Sequence, residues 1–318
     1  MSLTVIEAGP LVTVQDLGRY GFQRFGVPTS GAMDGLAIRA ANQLVCNPWT
    51  AACLEIGLGG FIAVANEPCV IATTGRGVEL SVDGRQLQTW SSIFVRTGMK
   101  IELSVNNWGW AYLAIAGGVD IPLVLGSRST YLRGGFGGYA GRALQRGDVI
   151  PLGRSRFGAE IAGREMNPHE YADEMTAEVT LGPQLDRFLE DGLQTFLASE
   201  YTISLESDRM GYRLTGEKLR HSDGADILSD GIALGSVQVP PNGQPILMMS
   251  DHATTGGYTK IATMTTLDTW RVSQCPPGNG KIRFNVTNVE AAQQKYREIV
   301  GNLRMQVRDV RDEATYTW

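Results

Sequence analysis

The chain repeats itself, and that recurrence limits the folds open to it more than any other feature. Val179-Thr180-Leu181-Gly182-Pro183 echoes residues 5–10, and Ser207-Asp208-Arg209-Met210-Gly211 stands where residues 30–39 stood. Gly235-Ser236-Val237-Gln238-Val239 tracks Gly59-Gly60-Phe61-Ile62-Ala63, and Pro277-Gly278-Asn279-Gly280-Lys281-Ile282 matches Thr97-Gly98-Met99-Lys100-Ile101. The offset stays near 173–180 residues, the signature of a diverged tandem duplication. The 318 residues also exceed the roughly 250–300 at which one core usually splits. Two similar units are expected, 1–153 and 177–318, joined by a charged connector over 154–176 that carries Asn167-Pro168.

Each unit reads as mainly β with a few helices, a many-stranded barrel or sandwich. Segments 54–64, 69–73, 78–82, 92–96, 99–105 and 111–116 are short, rich in branched and aromatic residues, and punctuated by some of the 39 glycines. Helices are expected where apolar residues recur at helical spacing. One set is Met33, Leu36, Ala37, Ala40 and Leu44, with Ser30 as cap and Asn47-Pro48 as stop. A second is Leu185, Phe188, Leu189, Leu193, Phe196 and Leu197. A third follows the capping box Thr287-Asn288-Val289-Glu290 through Tyr296 to Leu303.

Composition narrows the function. A net charge of −5 with no Lys/Arg-rich block argues against nucleic acid as a partner. No run reaches the roughly 18 apolar residues of a membrane span, and the first ten residues lack the basic and apolar regions of a signal peptide. Cys46, Cys53, Cys69 and Cys275 show no CxxC spacing and read as reduced thiols of a cytosolic protein. His169, His221 and His252 are scattered, so no metal site is expected. No GxGxxG stands between strand and helix and no GK[ST] occurs, so ATP chemistry is not expected in this chain. Gly98-Met99-Lys100-Ile101 lacks the second methionine of a biotin-attachment site and reads as a strand start.

Two stretches concentrate chemistry. After the apolar run Ile246-Leu247-Met248-Met249, residues 250–260 read as a strand-end loop holding Ser250, Asp251, His252, Thr255, Gly256, Gly257, Tyr258 and Lys260. Residues 112–148 carry Asp120, Ser127, Arg128, Ser129, Arg133 and a dense set of glycines that can bring amide N–H groups close to a ligand. A polar loop, Gln15-Asp16-Leu17-Gly18-Arg19-Tyr20-Gly21, precedes them, and Asp34 suits either helix-dipole compensation or catalysis.

That loop, together with Gly26-Val27-Pro28, Ser30-Gly31-Ala32-Met33-Asp34, Gly126-Ser127-Arg128-Ser129-Thr130-Tyr131, Gly235-Ser236-Val237-Gln238-Val239-Pro240 and Thr255-Gly256-Gly257-Tyr258-Thr259-Lys260, resembles the biotin-dependent carboxyltransferase family. The family includes the carboxyltransferase domain of urea carboxylase (allophanate hydrolase subunit 2), KipA-like proteins and the C component of 5-oxoprolinase. The resemblance implies two tandem cyclophilin-like β-barrels. It implies a small amide or lactam substrate and membership of a 5-oxoprolinase-type complex that cleaves 5-oxo-L-proline to L-glutamate. A partner resembling KipI or the B component, and an ATP-using partner resembling the A component, would complete that complex. A homo-oligomer is compatible with it. No cofactor is expected to be covalently bound. The alternatives are carboxyl transfer from biotin on a separate carrier to urea or another amide, and KipA-like regulation without chemistry.

Lactam opening and carboxyl transfer both need donors for an oxygen gaining charge and a base for an N–H proton. Asp251, Lys260, Tyr258 and Asp16 are the catalytic candidates. Arg19, Ser30, Asp34, Arg128, Ser129, Gln238, Thr255, Gly256 and Gly257 are the substrate-binding candidates.

Overall fold

The computed structural model describes residues 1–106, 108–189 and 191–310. The final residues of the expected second barrel, 311–318, lie outside the described residues. The chain divides into two compact units. One comprises Met1–Arg19, Ser30–Glu170 and the chain from Asn302 onward; the other comprises Tyr20–Thr29 and Tyr171–Gly301. The division falls at residue 170 rather than across a separate connector, and it exchanges two short segments that sequence order would assign the other way.

The first unit contains β1 (Ser2–Ala8), β2 (Val12–Gln15), α1 (Gly35–Leu44), β3 (Cys53–Ile56), β4 (Gly60–Ala65), β5 (Cys69–Gly75), β6 (Val78–Val82), β7 (Arg85–Leu87), β8 (Ser92–Val95), β9 (Lys100–Val105), β10 (Ala111–Ile115), β11 (Val149–Pro151) and β12 (Arg164–Glu165). They form a six-stranded sheet, β11-β1-β4-β9-β6-β7, and a five-stranded sheet, β2-β3-β10-β5-β8. One core lies between the sheets. Leu3, Val5, Phe61, Ala63, Leu80, Ile101 and Leu103 come from the first sheet, and Val12, Val14, Leu54, Ile56, Ile71, Leu113 and Ile115 from the second. The alternation in β4, with Phe61, Ala63 and Ala65 buried, is what a sheet with one core face demands.

The other face of the five-stranded sheet is buried too, under α1, and it is polar. Thr13 pairs with Glu55, Glu55 with Tyr112, and Tyr112 with Thr74, so these side chains form one row across four strands. All four are buried. Thr74 Oγ1 donates to Ala37 O of α1 at 2.7 Å. With both faces covered, β2, β3, β5 and β10 lose the period-two burial that would mark a half-exposed strand.

The second unit contains β13 (Glu174–Leu181), α2 (Gly192–Ala198), β14 (Tyr201–Ile203), β15 (Gly211–Thr215), β16 (Asp226–Gly231), β17 (Ser236–Val239), β18 (Ile246–Met248), β19 (Thr255–Met264), α3 (Thr266–Ser273), β20 (Lys281–Val286) and α4 (Val289–Asn302). Seven strands close a barrel in the order β13-β20-β14-β15-β18-β17-β19, with β19 returning to β13 and β16 added outside β19. β13 and β20 pair in parallel. A last strand, β21 (Arg308–Asp309), belongs to the first unit, where it pairs with β12.

The chain is mainly β, as the sequence implies, and the repeat shows in matched strand ends. Residues 59–63 and 235–239 both fall on strands, β4 and β17, and residues 97–101 and 277–282 both lead into strands, β9 and β20. The correspondence fails at residues 30–39 and 207–214, where α1 stands opposite β15. Ser30 does not cap α1. Asp34 does, its Oδ1 accepting from Leu36 N at 2.9 Å and Ala37 N at 3.0 Å. Asn288, rather than Thr287, caps α4 by accepting from Ala291 N at 2.8 Å. The expected helix from Leu185 is a 3₁₀ turn, Leu185–Arg187, followed by the short α2.

Candidate functional site

The sequence-derived residues fall into two clusters, one in each unit. In the first unit Asp16 ties two loops together. Its Oδ1 accepts from Gly18 N, Ser127 Oγ and Ser129 Oγ at 2.8, 2.7 and 2.6 Å, and its Oδ2 accepts from Arg128 N at 2.6 Å. A carboxylate has about four acceptor sites, so these donors use its capacity. These bonds give Asp16 a structural duty: it brings the 15–20 and 127–131 loops together.

Arg19 is buried across the same junction. Its Nη2 donates to Ser129 O at 2.7 Å, its Nε donates to Val124 O at 3.3 Å, and the guanidinium lies 4.9 Å from the centre of the Phe136 ring. Gly137, at φ +70°, permits this approach, because a Cβ there would stand 2.6 Å from Arg19 Nη2. Arg128 is committed as well, with Nε donating to Ile121 O at 2.6 Å and Nη2 to Asp120 Oδ1 at 2.9 Å.

The 30–34 turn packs on this platform. Ser30 takes a left-handed φ of +53°, a strained conformation for a residue with a side chain. Its Oγ is buried and has no hydrogen-bond partner among the described residues. Three amides that follow are engaged: Ala32 N donates to Asp16 O, Met33 N to Glu55 Oε2 at 2.8 Å, and Asp34 N to Tyr112 Oη at 2.7 Å. Tyr112 in turn donates to Glu55 Oε2 at 2.8 Å. Burial pushes the Tyr112 phenol well above its ordinary range, and the negative charges of Glu55 and Asp34 push it further. Sequence reasoning missed Glu55, although an acid inside the apolar run Cys53-Leu54-Glu55-Ile56 was a visible signal.

In the second unit the expected 250–260 loop is only half a loop. Thr255, Gly256, Gly257, Tyr258 and Lys260 lie on β19, hydrogen-bonded to β17 and β16. Of the glycine pair that suggested a loop, Gly256 lets other groups close over the strand. A Cβ at Gly256 would stand 2.7 Å from Gln238 Nε2 and 2.7 Å from Ile232 Cδ1. Gln238 Nε2 is buried without a hydrogen-bond partner among the described residues.

Asp251 makes a buried ion pair with Arg209, Nε to Oδ2 at 2.8 Å and Nη2 to Oδ1 at 3.2 Å. His252 is buried beside it, and burial holds its imidazole below the ordinary value. Lys260 is buried, and its Nζ donates to Asp230 Oδ2 at 3.0 Å. That hydrogen bond, with a second from Gly231 N, lowers the Asp230 carboxyl below its ordinary value. Gln184 adds its Oε1 as acceptor for Lys260 N at 3.1 Å. Tyr258 is partly exposed and pairs across the ladder with Asp226. Neither Asp230 nor Gln184 carries a motif; strand pairing reveals the first and a side-chain hydrogen bond to the Lys260 backbone the second.

Residues 25–286 match the family model for the carboxyltransferase domain, subdomains A and B. The chain belongs to the carboxyltransferase-domain family. It is 38% identical over 303 residues to the C component of 5-oxoprolinase from Escherichia coli K12, covering 93% of this chain and 96% of that one. It is 32% identical over 314 residues to urea amidolyase of Lachancea kluyveri, covering 91% of this chain but 17% of that protein. The crystal structure of Kluyveromyces lactis urea carboxylase aligns with a TM-score of 0.87 at 28% identity, covering 95% of this chain and 29% of that one. This carboxyltransferase-domain chain therefore shares its fold with both subunit-sized and multidomain relatives.

Among the described residues no group of three or more His, Cys, Asp or Glu side chains is placed to hold a metal ion. No helix among them is long and apolar enough to cross a membrane. A cavity of about 290 Å³ lined by Cys69, Val70, Phe94, Arg154 and Phe157 contains none of the sequence-derived residues.

Proposed function

We propose that this chain is one component of a cytosolic 5-oxoprolinase-type complex, in which ATP-dependent cleavage of 5-oxo-L-proline yields L-glutamate. The observation that carries the reading is the extent of likeness to the E. coli protein, which runs through nearly the whole of both chains. The chain's chemical inventory supports the same division of labour. It has cations and amide donors for an oxygen that gains charge, and no loop of the kind that cradles phosphates. Partners resembling the A and B components supply the ATP chemistry.

Within this chain Lys260 and Gln238 are donors with hydrogen-bonding capacity to spare. Arg19 and Arg128 donate to backbone carbonyls and Asp120 and so shape the loops. Asp251 keeps Arg209 neutralised and the end of β18 in place. Carboxyl transfer from a biotin carrier to an amide is the second reading, supported by the fold shared with the K. lactis enzyme.

Co-expression with A-like and B-like partners tests the proposal. The three-component mixture should release glutamate from 5-oxoproline in an ATP-dependent manner, and this chain alone should not. Undiminished release when this chain is omitted refutes it. Activity only with a carboxylated biotin donor selects the second reading.

A further inference from the structure

Three side chains from three strands of the second unit meet over Gly256. Asp230 of β16 is the ladder partner of Gly256. The Gln238 amide of β17 lies against the same glycine, where a Cβ would collide with its Nε2. Gln238 and Lys260 are ladder partners, so their side chains leave the same face of the sheet, with Cβ atoms about 5 Å apart. Lys260 Nζ reaches Asp230 at 3.0 Å.

The partners of this cluster are unequal. The Lys260 side chain is 5% exposed, whereas that of Asp230 is 55% exposed. Asp230 also sits on the least secured strand. β16 lies outside the closed barrel and, among the described residues, pairs only with β19. It loses register between Asp226 and Asp230, where Leu228 is 94% exposed. A buried ammonium thus finds its counter-charge on a solvent-facing edge strand. Beside it a buried amide N–H has no acceptor among the described residues, and leaving such a donor unsatisfied is costly.

We infer that Lys260 Nζ and Gln238 Nε2 form a site for the carboxylate of a small substrate, and that Asp230 is a built-in competitor holding the ammonium until a ligand carboxylate replaces it. Gly256 is glycine because the Gln238 amide occupies the space of a side chain. The substrate class, a carboxylate-bearing lactam, rests on the function proposed above; the donor pair and its competitor rest on the geometry alone.

Calorimetric titration of the full chain with 5-oxo-L-proline, acetate and the carboxylate-free 2-pyrrolidinone tests the assignment. Asp230→Asn removes the competing charge and should tighten 5-oxoproline and acetate by about tenfold while leaving 2-pyrrolidinone unchanged. Lys260→Met and Gln238→Ala should each weaken the carboxylates at least tenfold. Gly256→Ala should mimic Gln238→Ala by displacing the amide, with an unchanged circular dichroism spectrum. Unchanged or weaker carboxylate binding in Asp230→Asn, or no binding by any variant, overturns the inference. If Asp230→Asn tightens acetate and 5-oxoproline equally, yet the complex does not turn over 5-oxoproline, the site stands and the proposed activity falls. If the complex is active but Asp230→Asn leaves its KM unchanged, the activity stands and the site falls.

Discussion

At the level of single residues, the acids in this chain differ by what they hold. Asp16 is filled by four donors, Asp34 caps a helix, and Asp251 neutralises a buried guanidinium. Breaking a buried ion pair from one side leaves an uncompensated charge, at a cost of about 3–5 kcal/mol. Asp251→Ala should therefore lower unfolding stability by that amount in urea titrations. Joint replacement by Arg209→Met and Asp251→Leu should recover most of it, because both charges are then gone. If Asp251→Ala is as stable as wild type but inactive in the complex, Asp251 has a chemical role in place of the structural one.

At the level of elements, α1 shows how a cap and a strand row cooperate. Asp34 supplies the side-chain cap, while its own N–H is taken by Tyr112, whose hydroxyl is anchored by Glu55. Loss of an N-cap acceptor typically costs about 1 kcal/mol. Asp34→Ala should lose about 1–2 kcal/mol on thermal or urea unfolding, and Asp34→Asn, which keeps the acceptor, well under about 1 kcal/mol. Equal stability of the two variants would show that the cap is dispensable. β19 teaches a related lesson. Its glycine pair looks like a loop signal, but the strand continues through it, and at Gly256 neighbouring side chains fill the space that a Cβ would take.

At the level of the whole molecule, the groups that titrate on the acid side share one direction. His169, His221 and His252 are all held below their ordinary value, burial being the largest cause in each. Between the lowered folded value and about 6.5 the unfolded chain binds more protons, so stability falls as pH drops below about 6.5. Asp148, held below its ordinary value by the hydrogen bond from Arg142, adds stability that is full above about pH 4 and lost as pH falls further. The melting temperature should therefore decline from about pH 7 toward about pH 5, and His252→Gln should flatten the decline. A profile that is flat or rises on acidification contradicts this sign.

The sequence by itself determined the β-rich class and which stretches are polar, because strand alternation, turn glycines and motif spacing are local properties of the chain. Its motifs also carried the family resemblance. Only the tertiary structure decided which polar groups meet. Glu55, Tyr112, Asp230 and Gln184 carry no motif; the roles of the first three come from strand pairing, and that of Gln184 from a hydrogen bond, all over long separations. Tertiary structure likewise closed one sheet into a barrel, moved the α1 cap from Ser30 to Asp34, and turned Gly256 of β19 into a seat for Gln238. Each of those outcomes depends on what lies opposite a residue in space, and a linear pattern contains no term for that.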